Sequence, residues 1–127
     1  NHSVTKYHGI CSIDYYKSAM KLISEKSSET PSFYFFSDDP QWVSDNFELN
    51  ENAKIISNQN LSAVEELFLM SSCKHNIIAN STFSWWAAWL NQNHDKIVIS
   101  PTPWVEKTPN PHPNIIPETW IKIPKNH

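Results

Sequence analysis

Short apolar runs alternate with helix-length amphipathic segments from Asp14 to Ser100, and this alternation restricts the fold more than any other feature. Ser32-Phe33-Tyr34-Phe35-Phe36-Ser37, Ala53-Lys54-Ile55-Ile56-Ser57, Asn76-Ile77-Ile78-Ala79 and Lys96-Ile97-Val98-Ile99-Ser100 are too short for helices. They are rich in β-branched and aromatic residues, as buried strands are. Between them lie helical signals. Asp14 can cap a helix to about Ser27, with Tyr16, Ala19, Met20 and Ile23 at helical spacing. Asp39-Pro40 starts a second, Pro40 suiting the first helical position, with Trp42, Val43 and Phe47 as its apolar residues. Ser62-Ala63-Val64-Glu65 is a capping box, followed by a stripe of Val64, Leu67, Phe68 and Ser71. Strands joined through helices pair in parallel, so the expected class is α/β, a parallel sheet with helices on its faces.

The segment Asn80-Ser81-Thr82-Phe83-Ser84-Trp85-Trp86-Ala87-Ala88-Trp89-Leu90 combines that architecture with chemistry. A strand runs into a polar turn and then into the start of a helix. There, backbone N–H groups and the helix dipole can receive an anion. Phe83, Trp86, Ala87 and Leu90 share one helical face, and Trp85, Ala88 and Trp89 a neighbouring one. Three tryptophans within five positions imply a helix packed on more than one side; core packing is a stronger reading than a carbohydrate-stacking platform.

Composition narrows the chemistry. The 127 residues suffice for one domain, with no long apolar span and no visible secretory signal. A net charge of −3 argues against nucleic acid as a partner. The ten basic residues are all lysines and the only glycine is Gly9, which excludes glycine-rich phosphate loops. Cys11 and Cys73 form no metal-spaced pair and no disulfide framework, which favours a reducing cytoplasm. No HxH, HExxH or Cys/His quartet is present, so no metal site is expected. After Ser100, six prolines from Pro101 to Pro117 point to an extended, irregular tail around Trp104 and Trp120 that lies against the domain.

Ligands of open α/β sheets bind beyond the carboxyl ends of the strands. Two such ends are polar here, Ser37-Asp38-Asp39 and Asn80-Ser81-Thr82, and both should project from the same edge of the sheet. Asp39 has a structural role as helix cap ahead of Pro40. Asp38 is either a solvent-exposed loop residue or a carboxylate accepting two hydrogen bonds, as from a guanine edge. One of Ser81 and Thr82 should cap the tryptophan helix, which leaves other N–H groups for an anion. Asn80-Ser81-Thr82, Asn1-His2-Ser3 and Asn60-Leu61-Ser62 also match the glycosylation acceptor pattern, a coincidence in a cytoplasmic protein. Ser81, His75 and Asp38 make a triad only on paper, since no nucleophile elbow accompanies them.

Several strings occur together in order: Tyr15-Tyr16, Phe36-Ser37-Asp38-Asp39 followed by Trp42, and Leu69-Met70-Ser71-Ser72-Cys73-Lys74-His75. Asn80-Ser81-Thr82-Phe83-Ser84-Trp85-Trp86, Lys96-Ile97-Val98, and Pro101 with Trp104 complete the set. In this the chain resembles the alpha-1,2-fucosyltransferases of glycosyltransferase family 11, over about Tyr15 to Trp120. Ala87 stands where that family commonly has glycine, a change that a helix interior tolerates.

The resemblance implies a Rossmann-like parallel sheet with helices on both faces, the donor-binding half of a GT-B glycosyltransferase. Residues 1–100 would be the nucleotide-sugar-binding domain, a fragment of a larger enzyme, and residues 101–127 a Pro-rich carboxyl-terminal extension packed on it. The implied reaction moves L-fucose from GDP-fucose to a hydroxyl of a galactose-containing acceptor, with inversion and with neither metal nor cofactor. Asp38, or its neighbour Asp39, would contact the guanine, and Asn80, Ser81, Thr82 and Phe83 would surround the phosphates and ribose. The family's H-x-R-R-G-D-Y motif, whose arginines stabilise the departing diphosphate, is absent, so the catalytic residues are unknown and the segment alone is expected to be inactive. Two alternatives are an alpha-1,6 fucosyltransferase and a non-catalytic nucleotide- or glycan-binding module; the upstream coding sequence would tell the module apart. An Asn-, Lys-, Ile- and Ser-rich chain suggests a bacterial source and a place in lipopolysaccharide assembly, in the cytoplasm or peripherally at the inner membrane.

Overall fold

Each pairing between strands is parallel, as the alternation of strands and helices requires. The computed structural model of the chain describes residues 11–56, 60–102 and 116–124. In order, these form α1 (Ile13–Lys26), β1 (Phe33–Phe35), α2 (Pro40–Asn46), β2 (Ala53–Ile55), α3 (Ala63–Ser71), β3 (Asn76–Ile77), α4 (Thr82–Leu90), β4 (Val98–Thr102) and β5 (Ile121–Pro124). This is the expected α/β, Rossmann-like arrangement of parallel strands flanked by helices.

The residue alternation along β4 shows why both faces are covered. Ile99 packs with Tyr15, Ala19 and Ile23 of α1, and Ile77 and Ile121, its partners in register, close on the same cluster. Val98 points the other way, into a cluster with Ile78, Met70 of α3, Ala87 and Ala88 of α4, and Trp120. Successive side chains of a strand alternate in direction, so one apolar run serves two cores. A third cluster, of Val43, Phe47 and Ile55, seats α2 beside β2.

Four local expectations change. Ser12 caps α1 instead of Asp14: its backbone is extended and its Oγ accepts the Tyr15 N–H at 3.1 Å, while Asp14 serves as the acidic residue of the first turn. The buried stripe of α1 is therefore Tyr15, Ala19 and Ile23, with Tyr16 and Met20 at its margin. In α3 the inward residue is Met70, and Val64 and Phe68 are 75% and 68% exposed. In α4 the alanines, Ala87 and Ala88, are fully buried, whereas Trp86 and Trp89 are about half exposed at 46% and 53%. Small residues let a helix approach the sheet closely; the tryptophans fan out from that contact, with Trp85 stacked on Trp89 at 5.4 Å.

The sheet and the tail also differ from expectation. Hydrogen bonding divides the strands into β1–β2 and β3–β4–β5. A cavity of about 720 Å³ is lined by residues from both groups, among them Phe33, Phe35, Asn76 and Ile77. Strands of two and three residues offer few ladder bonds, so short pairing is easily interrupted. Within the proline-rich tail, Ile121–Pro124 forms β5 alongside β4, where the sequence suggests only irregular chain. The preceding Trp120 is buried, and its hydrophobic seat outweighs the nearby Pro117 and Pro124. Trp104 lies outside the described residues.

The amino-terminal end of β3 is held by buried amides. Asn76 Nδ2 donates to the Met70 carbonyl at 2.8 Å, and Asn91 Nδ2 to the Cys73 carbonyl at 2.7 Å and Asn76 Oδ1 at 2.8 Å. Lys96 Nζ closes the carboxyl end of α4, donating to the Ala88 and Asn91 carbonyls at 2.9 and 2.8 Å. His75 Nδ1 accepts the Ile97 N–H at 2.9 Å, which requires a neutral ring. Burial, with a smaller effect of Lys74, lowers the His75 pKa. The unfolded chain therefore binds the proton more tightly. The stabilisation is complete above the ordinary histidine value of about 6.5 and is lost as pH falls from there through the lowered folded value. Melting temperatures measured across this range should fall with acidification, and His75→Gln should flatten the dependence.

Candidate functional site

Two polar turns follow the carboxyl ends of β1 and β3, and the chain prepares each differently. The turn after β3 is organised around Ser81, the cap of α4, whose extended backbone (φ −127°, ψ 146°) lets its Oγ accept the Ser84 N–H at 3.2 Å. The Ser81 and Ser84 hydroxyls lie 2.7 Å apart, and Ser84 Oγ reaches the Ala79 carbonyl at 3.0 Å. If Ser81 donates to Ser84 and Ser84 to Ala79, each hydroxyl proton is used once. The Trp85 N–H closes the first helical ring onto the Ser81 carbonyl at 3.0 Å. Thr82 and Phe83, both exposed, occupy the first two helical positions, ahead of that ring. No acidic residue stands in this first turn, so the positive end of the helix dipole faces no carboxylate of its own. Asn80 is buried, with Oδ1 accepting from Cys11 Sγ at 3.7 Å. That burial also makes Asn80 a poor glycosylation acceptor.

In the turn after β1, Asp39 caps α2 as expected: its Oδ1 accepts the Trp42 N–H at 3.2 Å. The Asp39 N–H donates to Ser37 Oγ at 3.0 Å. Asp38, one residue earlier, is exposed on the turn. Phe36 packs against the cluster that contains Ile78 and Ala87, so this turn starts from the layer that also supports the other.

The two turns are joined through α1. Tyr15 Oη donates to the carbonyl of Ile78, two residues before Asn80. The adjacent Tyr16 ring meets Trp42 and Phe47 edge-on, each at 6.2 Å, and so is fixed to the helix that Asp39 caps. Sequence reasoning missed Tyr15, Cys11 and Ser84. The i, i+4, i+8 spacing of Tyr15, Ala19 and Ile23 was the available signal for Tyr15. Ser81, His75 and Asp38 do not form a triad. His75 sits at the opposite end of β3, bonded to Ile97, and the Ser81 hydroxyl is engaged with Ser84.

Among the described residues no group of three or more His, Cys, Asp or Glu side chains is placed to hold a metal ion. None of the described helices is long and apolar enough to cross a membrane.

Comparison with known proteins gives a consistent picture. An O-antigen biosynthesis glycosyltransferase, WbnK, of Escherichia coli is 40% identical over 97% of this chain and 40% of its own length. An alpha-1,2-colitosyltransferase of Escherichia coli is 35% identical over 98% of the chain and 43% of its own length. The chain thus spans about two fifths of the length of these relatives. No solved structure matches it significantly. The family model described as glycosyl transferase family 11 matches residues 1–123, which takes in both polar turns. The chain belongs to glycosyl transferase family 11.

Proposed function

We propose that this chain forms the GDP-fucose-binding part of an inverting alpha-1,2-fucosyltransferase that modifies a galactose-containing glycan. The observation that carries the reading is the Ser81-capped start of α4, set beyond the carboxyl end of β3 and free of acidic residues in its first turn. That arrangement suits a diphosphate. Thr82 and Phe83 would offer backbone N–H groups to it, Ser81 and Asn80 would shape the turn, and Asp38 would accept the ring N–H and exocyclic amine of guanine. Asp39 would serve as the cap of α2, through the Trp42 N–H.

The reaction would be one displacement. The acceptor oxygen forms a bond to the fucose anomeric carbon as the bond to the β-phosphate oxygen breaks, GDP leaves with the electron pair, and the hydroxyl proton passes to a base. Negative charge grows on the diphosphate in the transition state. This chain has no arginine to meet it, so that donor would come from elsewhere in the polypeptide.

A second donor has support from the relatives, one of which is named as a colitosyltransferase. Colitose is the 3-deoxy counterpart of L-fucose, and a GDP-linked colitose would present the same nucleotide to this half. The name of the other relative favours a place in O-antigen assembly; the cytoplasmic face of a bacterial inner membrane would be its location.

The test is product analysis with the intact protein, a β-galactoside acceptor and either GDP-fucose or GDP-colitose. Transfer from GDP-fucose to the galactose 2-hydroxyl is expected. Transfer from GDP-colitose alone would move the assignment to the second donor. Turnover with a UDP- or CMP-sugar but no GDP-sugar would overturn both.

A further inference from the structure

The Tyr15-Tyr16 pair contacts the strand end that leads into one polar turn and the helix that follows the other, and the nucleotide-site reading leaves it without a task. Tyr15 is the first residue of the buried stripe of α1, so it lies at the amino-terminal end of that helix. Its ring is fully buried, and its hydroxyl is 2.6 Å from the Ile78 carbonyl oxygen and 3.3 Å from that of Ile99. A phenol has one proton, so the shorter contact takes the larger share of it. Burial above all, with a contribution from Cys11, pushes the phenol far above its ordinary range, and the group remains a donor.

The strand register explains why a donor is needed there. In the parallel ladder, Asn76 N–H bonds the Ile97 carbonyl at 3.0 Å and Ile78 N–H bonds that of Ile99 at 2.9 Å. The rung that would follow runs from the N–H of residue 101 to the Ile78 carbonyl. Residue 101 is proline and has no N–H. The Ile78 carbonyl is buried and would lose its ladder partner, at a cost, where the strands end. The Tyr15 hydroxyl stands in the position of the missing donor.

Two residues further on lies Asn80, whose side chain accepts from Cys11, one residue before the α1 cap. The start of α1 therefore grips the turn by its backbone and by its amide. Resting on the nucleotide-site reading above, we infer that Tyr15 is a positioning residue for the nucleotide: by replacing the backbone donor that Pro101 removes, it fixes Ile78 and thereby aims the Thr82 and Phe83 N–H groups at the diphosphate. Tyr16, edge-on to Tyr15 at 5.0 Å and to Trp42 at 6.2 Å, sets the distance from this turn to the one bearing Asp38.

The test uses Tyr15→Phe in the intact protein, with GDP affinity read by calorimetry and amide exchange of residues 79–83 read without ligand. Loss of one buried hydrogen bond should weaken GDP by about fivefold or more and speed exchange in the turn. Adding Pro101→Ala restores a backbone N–H opposite Ile78, and the double variant should recover much of the affinity. Asn91→Ala, which cuts the amide network at the other end of β3, should leave GDP binding within about twofold of the parent despite lost stability. A Tyr15→Phe protein binding GDP within twofold of the parent, or an equal loss in Asn91→Ala, would overturn the proposal. If the parent itself does not bind GDP, the nucleotide reading fails. The exchange rates then still decide whether Tyr15 holds the turn: unchanged rates in Tyr15→Phe sink it. Should Tyr15→Phe not fold, 3-fluorotyrosine at position 15 supplies a stronger donor; GDP affinity equal to or tighter than the parent's is expected, and weaker binding counts against the idea.

Discussion

Ile99→Ala should lower the unfolding free energy by about 2–5 kcal/mol, a large effect for a single truncation. Ile99 is fully buried in the middle strand of the three-stranded sheet, flanked in register by Ile77 and Ile121 and covered by Tyr15 and Ala19. The site has little freedom to collapse, because the Ile99 carbonyl is bonded both by the Ile78 N–H and by the Tyr15 hydroxyl. A cavity would therefore persist. Urea unfolding of the intact protein measures the loss, with Val64→Ala as the reference. Val64 is 75% exposed, and its truncation should stay within about 0.5 kcal/mol. An Ile99→Ala cost below about 1 kcal/mol would mean that α1 is not seated on β4, and the account of Tyr15 would fall with it.

In the intact protein, Asp38→Ala should reduce the preference for GDP over ADP by about 10- to 100-fold, on the basis that a bidentate base contact is worth about 1–3 kcal/mol of discrimination. Guanine presents a ring N–H and an amine side by side, and one carboxylate can accept both. Adenine lacks the ring N–H. Asp38→Asn keeps the shape but turns half of the acceptor into a donor, so it should also lose the preference. Asp39→Ala is the informative contrast. Its Oδ1 caps α2 through the Trp42 N–H, so its loss should cost about 1 kcal/mol of stability while leaving base preference intact. Competition binding with GDP and ADP separates the two. If Asp39→Ala abolishes the preference and Asp38→Ala does not, the roles are reversed; if neither does, the base is read elsewhere.

Strand and helix identities were legible because each rests on local chemistry. The Ser62–Glu65 capping box forms as read: Ser62 Oγ accepts the Glu65 N–H at 3.1 Å and Glu65 Oε1 accepts the Ser62 N–H at 2.9 Å. Asp39 and Ser81 cap their helices for the same reason, as short side chains that reach an N–H three residues on. The two polar turns were found from strand ends alone. What stayed hidden was the direction in which each helix faces. In α4, hydrophobicity favours burying the tryptophans, yet alanines make the contact with the sheet. In α1, one residue of phase separates Tyr15, which bonds the strand ends, from Tyr16, which packs on α2. The strand β5 could not be read because prolines mask it; its apolar residues gain their pairing only from β4.

Alternation, caps and turn chemistry, all set by neighbours within a few residues, were enough to establish parallel α/β architecture and the polar turns after β1 and β3. The family follows from the same strings. The linking of those turns needed three dimensions. Pro101 leaves the Ile78 carbonyl without a ladder donor and Tyr15, 63 residues from Ile78 in the chain, supplies one. Such a bond depends on where a helix lands on a sheet. Burial of side chains from several elements at once decides that, and no local pattern encodes it.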